Sequence, residues 1–286
     1  SGHDTTRCIV VLSEYGDMYL ENLNLNNGYA DGAGESYRGG AMWHWWQTNF
    51  IVRNVNFENC VATQANDYVK GDVSNERSFI NCKFLGNHTS VYTNVAFHEY
   101  NMNFYNCFID ASDYEYVFMG GSYNVFNSTI YNAPKYIFGE QNWMPKFQMV
   151  NSIVTKKAGT SQFQFVTDNT VNSNWNNYWS DSSFVNNCIL PDSVWSNSGT
   201  NNKQFVVGAG MQFRPALFAN AANGDFHLAI YDAGLNVGVT NIPLYDDPDG
   251  HARPDANGYV DLGAYETNDL YVPCNPALFT SNFLPD

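Results

Sequence analysis

The sequence predicts an all-β fold, a right-handed parallel β-helix in which coils of chain stack in register, with an asparagine ladder along one corner and an irregular C-terminal capping segment. Three observations point there. An apolar–any–Asn triplet followed by a further strand returns as Leu20-Glu21-Asn22-Leu23, Val52-Arg53-Asn54-Val55, Phe79-Ile80-Asn81-Cys82, Phe104-Tyr105-Asn106-Cys107, Val125-Phe126-Asn127-Ser128, Met149-Val150-Asn151-Ser152 and Phe184-Val185-Asn186-Asn187. These asparagines lie 32, 27, 25, 21, 24 and 35 residues apart, the period range of solenoids whose units bury apolar faces by stacking. Short runs rich in Val, Ile, Phe, Tyr and Thr alternate with Gly, Asn, Asp and Ser, the pattern of strand punctuated by turn. Helical periodicity is not sustained over a dozen residues anywhere.

Residues 1–204 divide into the rungs. Strands stacked at ~4.8 Å place equivalent residues directly above one another, so Asn54, Asn81, Asn106, Asn127 and Asn151 are expected to form a column. Asn carries both a donor and an acceptor and tolerates a bend between strands. Cys82, Cys107, Ser128 and Ser152 follow the repeated Asn, which suits a narrow interior slot; a disulfide is the alternative for the six cysteines of the chain. Around 172–202 Asn, Ser and Trp dominate, and the stretch reads as a long irregular excursion. Residues 205–270 read as a final rung and cap, because a solenoid's last rung must be covered by a polar element. Arg253 is expected to pin that cover by pairing with Asp261 or Glu266. Residues 271–286 form an apolar tail able to dock on a neighbour.

The 286 residues are 44% apolar and only 14% charged, with 28 acidic against 13 basic side chains and a formal net charge of −15. Such a field repels phosphate backbones and anionic lipid. Nucleic acid is therefore a poor partner, and no window approaches the roughly 18 consecutive apolar residues that a membrane span needs. The sequence begins at Ser1 without an initiator Met or signal run, so a processed product lacking its first rungs is expected.

Pro215-Ala216-Leu217-Phe218, Asn223-Gly224-Asp225-Phe226-His227-Leu228, Asp232-Ala233-Gly234, Asp249-Gly250-His251-Ala252-Arg253 and Val260-Asp261-Leu262-Gly263-Ala264-Tyr265-Glu266 occur in that order. Together they resemble the end segment of bacterial secreted right-handed parallel β-helix repeat proteins with a choice-of-anchor Q domain. Leu23-Asn24-Leu25-Asn26-Asn27-Gly28-Tyr29-Ala30, with Gly39-Gly40-Ala41-Met42, is similar to their repeat. The resemblance implies fold, bacterial origin and export, and almost no chemistry. It departs at Ala229-Ile230-Tyr231, where those proteins carry Ser-Pro.

Several residue sets could carry function. Asp246, Asp247 and Asp249 form an acidic loop of the kind calcium favours, although Asp, Pro and Gly are also ordinary turn residues. Asp110, Asp113, Glu115 and Glu140 fall at ends of consecutive rungs, where a glycoside hydrolase of this fold would need its carboxylates. Solvated turn positions are the better reading of them. On Met42-Trp43-His44-Trp45-Trp46-Gln47, alternation sends Trp43 and Trp45 to one side and His44 and Trp46 to the other. Exposed rings there, extended by Tyr114, Tyr116 and Trp143, would stack on sugar or anchor a protein partner; the competing expectation is that they fill the interior.

With the export that the resemblance implies, the expectation is an extracellular structural or adhesive solenoid that binds copies of itself, a cell-surface matrix or a neutral glycan, and that serves as a filament subunit. The alternative is a polysaccharide lyase or glycoside hydrolase. No cofactor other than calcium is indicated.

Overall fold

The computed structural model describes residues 8–11, 16–30, 40–44, 50–62, 69–71, 77–86, 95–98, 101–119, 121–134, 136–138, 146–160, 164–166, 184–191 and 206–267. Parallel strands stack on three faces. The first is a seven-stranded sheet of Ile9–Val11, Met42–His44, Val69–Gly71, Val95–His98, Tyr116–Met119, Tyr136–Phe138 and Gln164–Val166. Met18–Asn26 and Phe50–Glu58 are nine-residue strands that run on through a corner and belong to both remaining faces. The second face continues through Arg77–Ile80, Met102–Tyr105, Tyr123–Phe126, Phe147–Val150, Phe184–Asn186 and Val206–Val207. The third continues through Lys83–Leu85, Phe108–Asp110, Thr129–Ala133, Ile153–Lys156, Ile189–Leu190 and Gln212–Phe213. This is a parallel β-helix, as the repeat predicts.

Register explains the core. Phe79, Phe104, Val125 and Met149 are paired in one column of the second face, and each is fully buried. Phe57 and Phe84 of the third face stack with ring centroids 4.7 Å apart, and Phe97 of the first meets Phe104 edge-on at 4.7 Å. Aromatic pairs of this geometry add ~0.5–1.5 kcal/mol beyond their burial.

The corner between the second and third faces is made by asparagine. Asn22, Asn54, Asn81, Asn106, Asn127, Asn151 and Asn187 hold φ between 46° and 58°, and every described non-glycine residue with positive φ is Asn. Other L-residues meet a cost of ~1–2 kcal/mol in this region, which Asn reduces by local hydrogen bonding. The side chains then zip. Nδ2 of the later coil donates to Oδ1 of the earlier one for Asn54 to Asn22 (3.0 Å), Asn106 to Asn81 (3.0 Å), Asn151 to Asn127 (3.0 Å) and Asn187 to Asn151 (2.9 Å). The last member is Asn187, not Asn186. Asn186 pairs with Val150 as the final strand residue, so in an Asn-Asn dipeptide the second amide takes the corner. That coil also corrects the single excursion read over 172–202, since Phe184–Asn186 and Ile189–Leu190 within it are stacked strands.

Behind the ladder runs a column of small residues. Cys107 Sγ lies 3.3 Å from the Phe79 carbonyl oxygen, while Ser128 Oγ and Ser152 Oγ accept from the amides of Cys107 (3.0 Å) and Ser128 (3.1 Å). Cys60, Cys82, Cys107 and Cys188 are buried free thiols and Cys8 an exposed one; Cys274 lies outside the described residues. Burial pushes Cys60 and Cys188 up to about 12, so the column packs as inert volume.

The third face is buried on both sides. Phe108, Ile153 and Ile189 project outward yet are at most 2% exposed, because the segment from 214 to 267 lies over them. Its only regular pairing among the described residues is the antiparallel hairpin of Phe218–Asn220 and Asp225–Leu228. Leu228, Leu235 and Leu262 pack on Ile153 and Ile189, and Ala264 and Tyr265 pack with Phe108. This strap also descends the Asn corner: Val237 and Val239 carbonyls accept from Asn187 and Asn151 (2.7 Å each), Tyr245 and Asp246 from Asn106 (2.9 Å each), and Asp247 from Asn81 (3.3 Å). The cover is therefore lateral, along the flank, where the sequence suggested a lid over the last rung. The apolar outward residues of the third face draw it there.

Candidate functional site

The strap is held by buried carboxylate turns and two arginines. Asp232, of Asp-Ala-Gly, accepts from the amides of Leu217 and Gly234 (2.7 Å each) and from Arg214 Nη1 (2.8 Å). Asp247 Oδ1 accepts from the amides of Asp249 (2.9 Å) and His251 (2.8 Å), and its Oδ2 from that of Glu266 (2.7 Å). Arg253 Nε donates to Glu266 Oε2 at 2.7 Å. Glu266 is thus the partner of Arg253, whereas Asp261 accepts from the amides of Asn236 (2.7 Å) and Thr267 (2.8 Å).

Arg253 also breaks the ladder. Its Nη1 reaches Asn106 Oδ1 at 3.2 Å and the Gly263 carbonyl at 2.8 Å. Asn106 Oδ1 is the acceptor that the pattern assigns to Asn127 Nδ2, and that amide nitrogen has no hydrogen-bond partner among the described residues. A guanidinium thus stands in for one amide in the column. Burial pushes Glu266 up to about 7, against the favourable charge of Arg253 and with the Asp261 charge adding to the rise. Burial likewise raises Asp261.

Outside this buried knot the strap gathers imidazoles and carboxylates. One ring nitrogen each of His227 and His251 and one Asp247 oxygen lie within 4.8 Å of one another. His227 Nδ1 is 2.8 Å from Asp225 Oδ1, and its Nε2 is 3.5 Å from Asp249 Oδ2. His251 Nδ1 lies 3.0 Å from the Glu266 carbonyl oxygen and 3.2 Å from Asp247 Oδ2. The His227 ring packs 4.9 Å from that of Tyr265, and Lys83 Nζ sits 5.2 Å from the same ring and 3.8 Å from Asp249 Oδ1.

The acidic loop thus differs from an oxygen cage. Asp247 is buried and committed to backbone donors, Asp246 is exposed and contributes its carbonyl to the ladder, and Asp249 faces Lys83 and His227. The two histidines escaped the sequence reading because they lie 24 residues apart with no ligand spacing between them; the hairpin strand and the 247–251 turn lie side by side and bring them together.

The other candidates distribute differently. Asp110 and Asp113 do converge, both beside Gly86, but Asp110 Oδ1 accepts from the amide and hydroxyl of Ser112 (3.0 and 2.5 Å) as a turn-forming group. Glu115 is exposed, and Glu140 lies outside the described residues. Trp43 and His44 are on the first-face strand Met42–His44; Trp45, Trp46 and Trp143 lie outside the described residues. Tyr114 is only 5% exposed and packs inward, and Tyr116 is half-buried. As an outward ring platform, Tyr114 is ruled out by that packing.

No protein-family model, curated protein or solved structure matches the chain. Among the described residues no helix is long and apolar enough to cross a membrane.

Proposed function

We propose that the protein is a structural, adhesive β-solenoid of the bacterial cell exterior that associates by docking its leading coil on the trailing coil of a second copy. The observation that supports this reading is the state of the strand Met18–Asn26. It pairs with Phe50–Glu58 on one edge, and no described strand lies on the other. Its inward positions are incompletely covered: Leu23 is 40% exposed where its register partner Val55 is fully buried, and Met18 and Leu20 are half-buried against the closed Phe50 and Val52. Asn22 and Asn24 use Oδ1 to accept from Asn54 (3.0 Å) and Asn56 (2.8 Å). Their Nδ2 groups donate to no described residue.

An open edge of this length templates strand addition. The last described coil, Val206–Val207 and Gln212–Phe213, pairs with a described strand on one edge only. The net charge of −15 argues against polyanionic partners, and the likeness of the end segment to exported solenoids supports an exterior location.

Sedimentation velocity over a hundredfold concentration range tests the proposal. The wild-type chain is expected to associate progressively, and Leu23→Lys, which places a charge on the open coil, to stay monomeric with little change in melting. A strictly monomeric wild type, or undiminished association of Leu23→Lys, would overturn it.

A further inference from the structure

We infer that His227 and His251, together with the carboxylates of Asp247 and Asp249, form a binding site for a divalent transition-metal ion of the zinc type on the strap. The donors come from two separate passes of chain, His227 from the hairpin strand Asp225–Leu228 and the others from the turn at 247–251. One nitrogen of each imidazole and one oxygen of Asp247 already lie within 4.8 Å of one another, and Asp249 Oδ2 stands 3.5 Å from His227 Nε2. Ligands around a tetrahedral zinc with bonds near 2.1 Å sit about 3.4 Å apart. Binding an ion would draw the wider-set donors inward to that separation.

The surroundings of the rings are a second, independent observation. A ligating histidine typically donates its other ring N–H to a carboxylate or a backbone carbonyl, which fixes the tautomer and raises the basicity of the ligating nitrogen. Both arrangements are present. Asp225 Oδ1 is 2.8 Å from His227 Nδ1, and the Glu266 carbonyl oxygen is 3.0 Å from His251 Nδ1. With its proton held on Nδ1, the His227 ring offers the lone pair of Nε2 on the side of Asp249.

Donor chemistry selects the class of ion. Calcium takes six to eight oxygens, whereas this cluster offers two imidazole nitrogens beside two carboxylates. Imidazole with carboxylate suits zinc, and also cobalt and nickel. An ion here would join the hairpin to the descending pass of the strap over the Tyr265 ring.

The experiment uses the full, tag-free chain stripped with a chelator and titrated calorimetrically with Zn²⁺, Co²⁺ and Ca²⁺, with the visible absorption of Co²⁺ as a second readout. Zinc and cobalt are expected to bind one ion per chain and to raise the melting temperature. His227→Gln and His251→Gln should each weaken binding at least tenfold, and Asp225→Asn, which removes only the ring's orienting carboxylate, by about 10–100-fold. Metal-free melting curves of the three variants establish that each is folded, and Asp225→Asn serves should either histidine variant fail to fold. Absence of zinc and cobalt binding, binding that all three substitutions leave unchanged, or a preference for Ca²⁺ indifferent to the histidines would each overturn the inference.

Discussion

At the scale of single residues, the corner asparagines combine two demands that rarely coincide, a left-handed backbone and a side chain that both donates and accepts. Asn151 shows both at once. Its Nδ2 donates to Asn127 Oδ1 (3.0 Å) and to the Val239 carbonyl (2.7 Å), while its Oδ1 accepts from Asn187 Nδ2 and the Val239 amide (2.9 Å each). Asn151→Ala should cost about 2–4 kcal/mol by thermal or urea denaturation, from left-handed strain plus orphaned buried partners. Asn151→Gly should cost less, since glycine relieves the strain, and the difference between the two measures the backbone share. Arg253→Ala leaves Glu266 buried without its ion partner and is expected to cost roughly 3–5 kcal/mol; an unchanged melting curve would mean that Arg253 pins nothing. Glu266 also sets a pH dependence. Its carboxyl titrates near 7 in the folded chain and near 4.3 unfolded, so the folded state binds the extra proton between those values. Stability from this group is full below the lower value and is lost as pH rises through 7. Relative to Glu266→Gln, the wild type should therefore lose melting temperature between pH 5 and pH 8. A constant difference across that range would contradict the burial argument.

At the scale of elements, the strands and their order were legible in the sequence because the solenoid repeats one physical problem in every coil, and the same residue types solve it each time. The corner was legible except where two asparagines adjoin, at Asn186 and Asn187, since either spelling satisfies the pattern. The strap was legible as a segment but not as a flank cover. Its cue was present in Phe108-Ile109, Ile153-Val154 and Ile189-Leu190, consecutive apolar pairs that mark a strand buried on both sides. The imidazole cluster was invisible because a hairpin and a turn assemble it, and neither has a repeating spacing. Gly263 tests the fit of strap to sheet. It holds φ +91°, and a Cβ there would lie 2.6 Å from Ile153 Cδ1 and 2.8 Å from Thr129 Oγ1. Gly263→Ala should lower the melting temperature and raise hydrogen exchange in the strap before the coils, because the added methyl pushes the strap away from Ile153 and Thr129.

At the scale of the whole molecule, most contacts join neighbouring coils, and an array built this way has no inherent length. Such proteins readily gain or lose a repeat, since a new copy finds the same neighbours above and below. Here a single continuous segment touches the corner at Asn187, Asn151, Asn106 and Asn81 in turn, and places one guanidinium between Asn106 and Asn127. Inserting a coil anywhere between those points would shift every later mark by one step of ~4.8 Å and leave the arginine opposite the wrong amide. The strap thus acts as a ruler: across the stretch it measures, the number of coils is as fixed as that of an ordinary globular fold, and duplication is tolerated only in the leading coils it does not reach.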